Sequence, residues 1–285
     1  MTILILGGTG RVGSAAIARL LDMGERVRCL SHSHEKLSAL PDVVEKAFAD
    51  LDDPQSLSSA FRDVDRVLLS LAVNPNEEPR GLAAIDAALA AGVRKVVHIS
   101  LVHTPGSESK VFYKAKRAIE ERLSHSGLTT TILRPANFYQ SDDNLKPYIV
   151  DDGLYPPPIG STGVDRLDSR DVGYAAAGAL TSSTFDNQEA ELYGPVQYTG
   201  ESAAKVFEDI LGKPVRYMGD DIQVWRDLNA PRLGPWYVDA LSGLYEQQQA
   251  VGMRRPEGAP MHPLLPQTMR SMEDYVRERK LAWQV

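Results

Sequence analysis

The sequence predicts an α/β protein organised on a doubly wound parallel sheet. Strand-like apolar runs alternate with helical patterns through the first half of the 285-residue chain, and parallel strands require crossovers of that kind. The first run also passes directly into a glycine-rich turn and then a helix. Such a sheet binds its ligand at that kind of strand-to-helix turn, at the strands' C-terminal ends.

Taken in order, Ile3, Leu4, Ile5 and Leu6 form a buried strand, and Ala16, Ile17, Leu20 and Leu21 form one face of the first helix. Between them lie Gly7, Gly8, Gly10 and Gly13. Glycine accepts backbone angles closed to other residues, lets the main chain approach a pyrophosphate, and lets helix and strand pack closely. The helix start adds unpaired N–H groups and the positive end of its dipole. GTGRVG in this context reads as a dinucleotide site made by Gly7, Thr9, Gly10, Arg11, Val12 and Gly13.

Gly24 stops the first helix, and residues 26–30 form the second strand. A helix at 35–40 and a strand at 43–49 follow, and then Asp53 caps a helix whose first residue is Pro54. The fourth, fifth and sixth strands fall at 67–71, 95–100 and 129–133. They are separated by helices at 81–91 and 111–125, which stop at Gly92 and Gly127.

Past Arg134 the texture changes. Residues 152–163, rich in proline and glycine, read as a surface loop. Helices are expected at 169–180, from the Thr199 cap to 211, at 236–251 and at 269–281, with a capping box from Ser271 to Asp274. Short strands are expected at 191–193 and 215–218. The chain therefore divides into an NAD(P)-binding part, 1–150, and a smaller α/β substrate region, 151–285, interlocked without a flexible linker.

Composition excludes several classes. A net charge of −7 argues against a nucleic-acid-binding surface. The one cysteine, Cys29, rules out an intramolecular disulfide and reads as a buried, inert thiol in a strand. No apolar run reaches the ~20 residues of a membrane span, and no signal-peptide pattern is present, so a cytoplasmic protein is expected. Six histidines are scattered without metal-ligand spacing, and no metal is expected. The basic clusters at 254–255 and 277–280 read as solvated helix ends, and Trp225, Trp236 and Tyr237 as core aromatics in preference to the lining of an aromatic substrate pocket.

An NAD-preferring site places a carboxylate at the end of the second strand. Here Ser31, His32 and Ser33 stand there instead. No charge excludes a 2′-phosphate, these side chains can donate to it, and Arg11 is a nearby cation. NADP(H) is therefore expected over NAD(H). Asp50 and Leu51 lie where such folds cover the adenine, and Leu71 and Ala72 flank the cofactor after the fourth strand.

Several stretches, in order and spacing together, resemble the NmrA-like family of atypical short-chain dehydrogenases/reductases over almost the whole chain. They are GGTGRVG at 7–13, KVVHIS at 95–100, AKRAIEERLSHSGLTTTILRPANF at 115–138, SRDVG at 169–173 and YGPVQYTGESAAKVFEDILGKPVRY at 193–217. The resemblance implies a Rossmann fold, NADP(H) binding and a divergent C-terminal substrate region. It also implies one of two functions, a quinone or dye reductase or a redox-sensing regulator that binds the cofactor without turnover. Lys116, followed by Glu120 at the family's spacing, takes the position of the family lysine, and Pro135, Asn137 and Phe138 match the stretch that passes the nicotinamide. The usual tyrosine position is then Phe112, which cannot exchange a proton. Tyr113, one residue on, is turned by about 100° on the helix.

Ser100 and Lys116 remain as candidate catalytic and cofactor-binding residues, with Tyr113 and His103 as local proton donors. Reduction of a quinone or conjugated aromatic needs mainly a hydride donor stacked on the acceptor, with the proton taken from solvent. The expected activity is NADPH-dependent reduction of such a small molecule. The alternative is a non-catalytic redox sensor acting through a protein partner.

Overall fold

The computed structural model describes residues 1–284. The chain runs β1 (Thr2–Leu6), α1 (Arg11–Asp22), β2 (Arg26–Ser31), α2 (His34–Ser38), β3 (Glu45–Phe48), α3 (Pro54–Ala60), β4 (Val64–Leu69), α4 (Glu77–Ala90), β5 (Lys95–Ile99), α5 (Val111–Ser124) and β6 (Thr129–Pro135). After β6, a short 3-10 turn and a π turn lead to β7 (Leu154–Tyr155), β8 (Val164–Arg166), α6 (Ser169–Thr181) and β9 (Gln188–Leu192). The remainder is β10 (Val196–Tyr198), α7 (Gly200–Leu211), β11 (Arg216–Tyr217), α8 (Ile222–Asn229), α9 (Pro235–Val251) and α10 (Met272–Trp283).

The central sheet has seven parallel strands in the order β3-β2-β1-β4-β5-β6-β9. The doubly wound sheet expected from the alternation is therefore present. Its order reverses between β1 and β4, which opens a crevice beyond their C-terminal ends. β1 is apolar from Ile3 to Leu6 and buried at every position because helices cover both faces. The seventh strand comes from residues 188–192, so the latter half of the chain also builds the sheet.

Helices α1 and α6 pack on the same face, and Gly173 permits their close approach. A Cβ there would lie 2.5 Å from Ala15 Cβ and 2.8 Å from the Val12 carbonyl. The SRDVG stretch acquires a local reason. Asp168 caps α6 by accepting from the Arg170 N–H, Asp171 accepts from the Arg270 N–H at 3.0 Å, and Gly173 clears the helix crossing.

Two expectations are corrected. Residues 155–160 are buried, and the segment carries β7 paired to β11, so it is no surface loop. Pro156, Pro157 and Pro158 have no N–H to leave unsatisfied, and Gln249 donates to the Pro158 carbonyl at 2.8 Å. The clusters at 254–255 and 277–280 are likewise more than solvated ends. Lys280 donates to the Ile210 carbonyl at 2.8 Å and Arg279 meets Asp143 at 3.4 Å, while Arg254 and Arg255 line a cavity described below. Helix α8 was not apparent in the sequence.

Among the described residues no helix is long and apolar enough to cross a membrane.

Candidate functional site

The glycine turn is shaped by its neighbours. Gly7 has φ +75°, and a Cβ there would sit 2.0 Å from the Ser70 carbonyl oxygen. A Cβ on Gly13 would lie 2.3 Å from the Gly7 carbonyl oxygen, so the turn closes only without side chains. Gly10 is the N-cap of α1 and offers no side-chain hydrogen bond, and the first turn carries no acid. The first intrahelical bond of α1 is made by the Ser14 N–H to the Gly10 carbonyl at 2.9 Å. The N–H groups of Arg11, Val12 and Gly13 therefore face outward as an uncapped, positive helix end. This cradle fits a pyrophosphate.

At the end of β2, Ser31 is nearly buried and its Oγ accepts from the Ser33 N–H at 3.1 Å, while Ser33 Oγ caps α2 through the Lys36 N–H. His32 is exposed beside them. Arg11 pairs with Asp143 at 3.1 Å, on the segment after β6. After β3, Asp50 Oδ1 accepts from the Asp52 N–H, and Asp52 is clamped by Arg80, whose guanidinium holds that carboxyl below its ordinary range. Leu51 and Leu71 are half-buried, and Ala72 is exposed.

Polar groups gather at the C-terminal ends of β5 and β6. Ser100 is held by its N–H donating to the Leu133 carbonyl at 2.8 Å, and its Oγ is buried with no partner. Asn137 Oδ1 is buried without a partner as well. Such orphans are costly unless a ligand completes them. Lys116 is buried and bonds the Ile99 carbonyl at 2.8 Å and the Glu77 carboxylate at 2.6 Å. Burial raises the pKa of Glu77, against the opposing pull of Lys116. Pro135 is buried and Phe138 half-buried. The Phe138 carbonyl accepts from Arg166, whose guanidinium is sealed against Asp142 at 2.9 Å and the Tyr155 hydroxyl at 2.8 Å.

Phe112 is half-buried, with its ring 6.4 Å from that of Tyr113. Tyr113 is fully buried in the core. Burial raises its pKa, with Thr104 beside it opposing, and its hydroxyl has no well-formed hydrogen bond. His103 is half-buried, 3.4 Å from Glu120, and burial lowers its pKa.

Beyond these strand ends lies a cavity of about 670 Å³, within the range of small-molecule sites. Val102, His103, Thr104 and Pro105, in the segment after β5, wall it on one side, with Glu191 of β9 and the following Tyr193. The segment after α9 contributes Gly252, Arg254 and Arg255. Trp225 packs on Tyr245 instead, with ring centroids 5.0 Å apart.

Sequence reasoning missed Glu77 and the two arginines. Glu77 begins α4 four residues before the expected start, and nothing in the EEP stretch distinguishes it from exposed Glu78. The Arg254–Arg255 pair was visible, but its position depends on packing against β8.

A sequence profile of the NmrA-like family matches residues 1–276. A (4-alkanoyl-5-oxo-2,5-dihydrofuran-3-yl)methyl phosphate reductase of Streptomyces griseus is 29% identical over 87% of this chain and 87% of its own. An NAD(P)H azoreductase of Xenophilus azovorans is 26% identical over 85% and 86%. The fold matches an NADPH-dependent quinone oxidoreductase of Escherichia coli solved with NADPH, with a TM-score of 0.87 and 22% identity over 97% and 99% of the chains.

Proposed function

The chain belongs to the NmrA-like family, and on that premise we propose that it is an NADPH-dependent reductase of a quinone-like or other conjugated acceptor. The observation that carries this reading is the uncapped glycine cradle after β1, together with the orphaned Ser100 and Asn137 at the ends of β5 and β6. The relatives named above as reductases support it, since a quinone, an azo dye and an oxo-dihydrofuran all offer conjugated centres to a nucleophilic hydride.

The reduced nicotinamide, when bound, supplies a hydride, so that a quinone takes up two electrons and one hydrogen and then one proton from solvent to become the hydroquinone. The chain's own residues do the rest. The α1 N–H groups hold the pyrophosphate, Ser31, His32 and Ser33 receive the 2′-phosphate without a repelling carboxylate, and Asp50 and Leu51 cover the adenine. Ser100, Asn137 and Lys116 orient the nicotinamide ribose and ring, with Leu71, Ala72, Pro135 and Phe138 walling them. Tyr113 faces the core and His103 faces the cavity, so His103 is the better placed of the two to pass a proton from solvent. No tyrosine relay is required for this chemistry, which is why Phe112 is tolerated.

The test is to mix purified protein with NADPH and a panel of quinones and dyes while following the reduced nicotinamide absorbance. Turnover that disappears in Gly10→Asp supports the reductase. Tight NADP binding with no consumption across the panel overturns it. That outcome favours the second reading, a redox sensor acting through a protein partner, for which Phe112 and the sealed Tyr113 are the motivating observations. Comparing NADP and NAD affinities tests the phosphate roles, and equal values refute them.

A further inference from the structure

Two guanidinium groups in the cavity are not accounted for by hydride transfer. Arg254 and Arg255 line it, and neither makes an ion pair within 4 Å among the described residues. The buried or half-buried Arg66, Arg80, Arg134 and Arg166, by contrast, each meet a carboxylate. Within the same cavity the Glu191 carboxylate already accepts from the Tyr193 hydroxyl at 2.9 Å, and Glu257 is exposed.

The arginines also sit on a fixed support. Gly252 has φ +73°, and a Cβ there would lie 2.8 Å from the Gly163 carbonyl oxygen. Met253 is buried and bridges to β8, its N–H donating to the Gly163 carbonyl at 3.1 Å and its carbonyl accepting from Asp165 at 2.8 Å. The Arg255 N–H then donates to Asp165 Oδ2 at 2.6 Å. The backbone is thus pinned on both sides of Arg254, while its side chain stays exposed and that of Arg255 half-buried at the cavity. Neither guanidinium has a carboxylate partner, although that of Arg255 meets the Met261 sulfur, and a pinned pair of this kind can hold an oxyanion through forked, charge-assisted bonds.

We propose that the cavity takes an acceptor carrying an oxyanion, a phosphate, sulfonate or carboxylate attached to the conjugated system, and that Arg254 and Arg255 bind that anion. This deepens the reductase reading and rests on it for the word acceptor. The anion site itself can be tested without turnover.

The experiment compares wild type with Arg254→Met and with the Arg254→Met/Arg255→Met pair. Arg254→Met removes an exposed, unbonded head and keeps the fold, which the thermal midpoint checks. In the first arm, kcat/KM is measured for naphthoquinone and naphthoquinone sulfonate. The sulfonate changes the ring's own reactivity, so the ratio of the two is compared between proteins. The ratio is expected to fall by about tenfold or more in the double variant, mainly through KM. In the second arm, calorimetry measures naphthyl phosphate and naphthol binding to the NADP-loaded protein. Wild type is expected to favour the phosphate by about tenfold or more, and each variant to lose part or all of that preference. A phosphate preference unchanged in both variants, or absent in wild type, overturns the proposal. Anion binding that depends on the arginines, with neither quinone reduced, would refute the reductase reading and leave the anion site standing.

Discussion

Lys116 Nζ lies 2.6 Å from Glu77 Oε1, with the two side chains 4% and 1% exposed. The same ammonium reaches the Ile99 carbonyl at the end of β5. The pair joins the start of α4 to the middle of α5 at the C-terminal ends of the strands, and it fixes the position of the lysine that stands where the family lysine does. Removing only the cation strands a carboxylate in the interior.

Lys116→Met is therefore expected to destabilise the fold by about 3–5 kcal/mol, the cost of breaking a buried pair from one side. Adding Glu77→Gln removes the stranded charge and should restore a large part of that loss. Urea unfolding of the two single variants and the double variant measures the coupling. Additive effects would show that the two groups do not interact in solution.

At Gly10, stability and binding should move in opposite directions. Its φ of −91° and ψ of 178° are open to any residue, and it is an N-cap without a side chain. An aspartate there can cap α1, offsetting the tight contact of its Cβ with the Gly7 carbonyl at 3.2 Å. It also places a carboxylate in the proposed pyrophosphate cradle. Gly10→Asp should keep the thermal midpoint within a few degrees and lose most NADPH affinity, as read by nucleotide fluorescence. Wild-type affinity in this variant would show that the cradle is not the site.

His98 and His103 should make the fold sensitive to acid. Burial holds the His98 imidazole well below its ordinary value of 6.5, and His103 below it too. The His98 Nδ1–H donates to the Leu69 carbonyl at 3.1 Å as the neutral ring. Below pH 6.5 the unfolded chain binds protons that the folded chain refuses, so stability is full above that value and falls as the pH drops through it. For His98 the slope approaches about 1.4 kcal/mol per pH unit below that value, and His103 adds in the same direction. His98→Asn keeps the donor and should flatten the profile of urea midpoints between pH 7 and 5. An unchanged slope would assign the acid sensitivity to other groups.

Cys29 should be inert. It is fully buried beneath the glycine turn, where a Cβ on Gly8 would come within 2.5 Å of its sulfur, and burial pushes the thiol up to about 11. A disulfide reagent at pH 8 is expected to label it only at the rate of unfolding. Rapid labelling of native protein would mean that the β1–β2 pairing or the glycine turn above it opens readily.

The elements legible in the sequence were those whose signals are local. Gly7 to Gly13 announced the turn because glycine alone meets its steric demands. Asp53 before Pro54 marked a helix start, Thr199 and Gly212 bracketed α7, and Ser271 with Asp274 closed a capping box, all as found. The burial of Pro156 to Pro158 was not legible, because three prolines look alike on a surface or under a helix. Arg166 also gave no sign in the sequence that its charge would be wholly buried, since Asp142 and Tyr155 reach it across 24 and 11 residues of chain.

The sequence by itself determined six strands of the parallel sheet and the glycine turn, because apolar runs, glycine spacing and caps act over a few residues. Only the tertiary structure decided what Lys116 touches, that Tyr113 faces the core while His103 faces the cavity, and that Arg254 and Arg255 are pinned beside β8. Those outcomes depend on which distant segments meet, and a side chain's partners and hydration are set by that meeting.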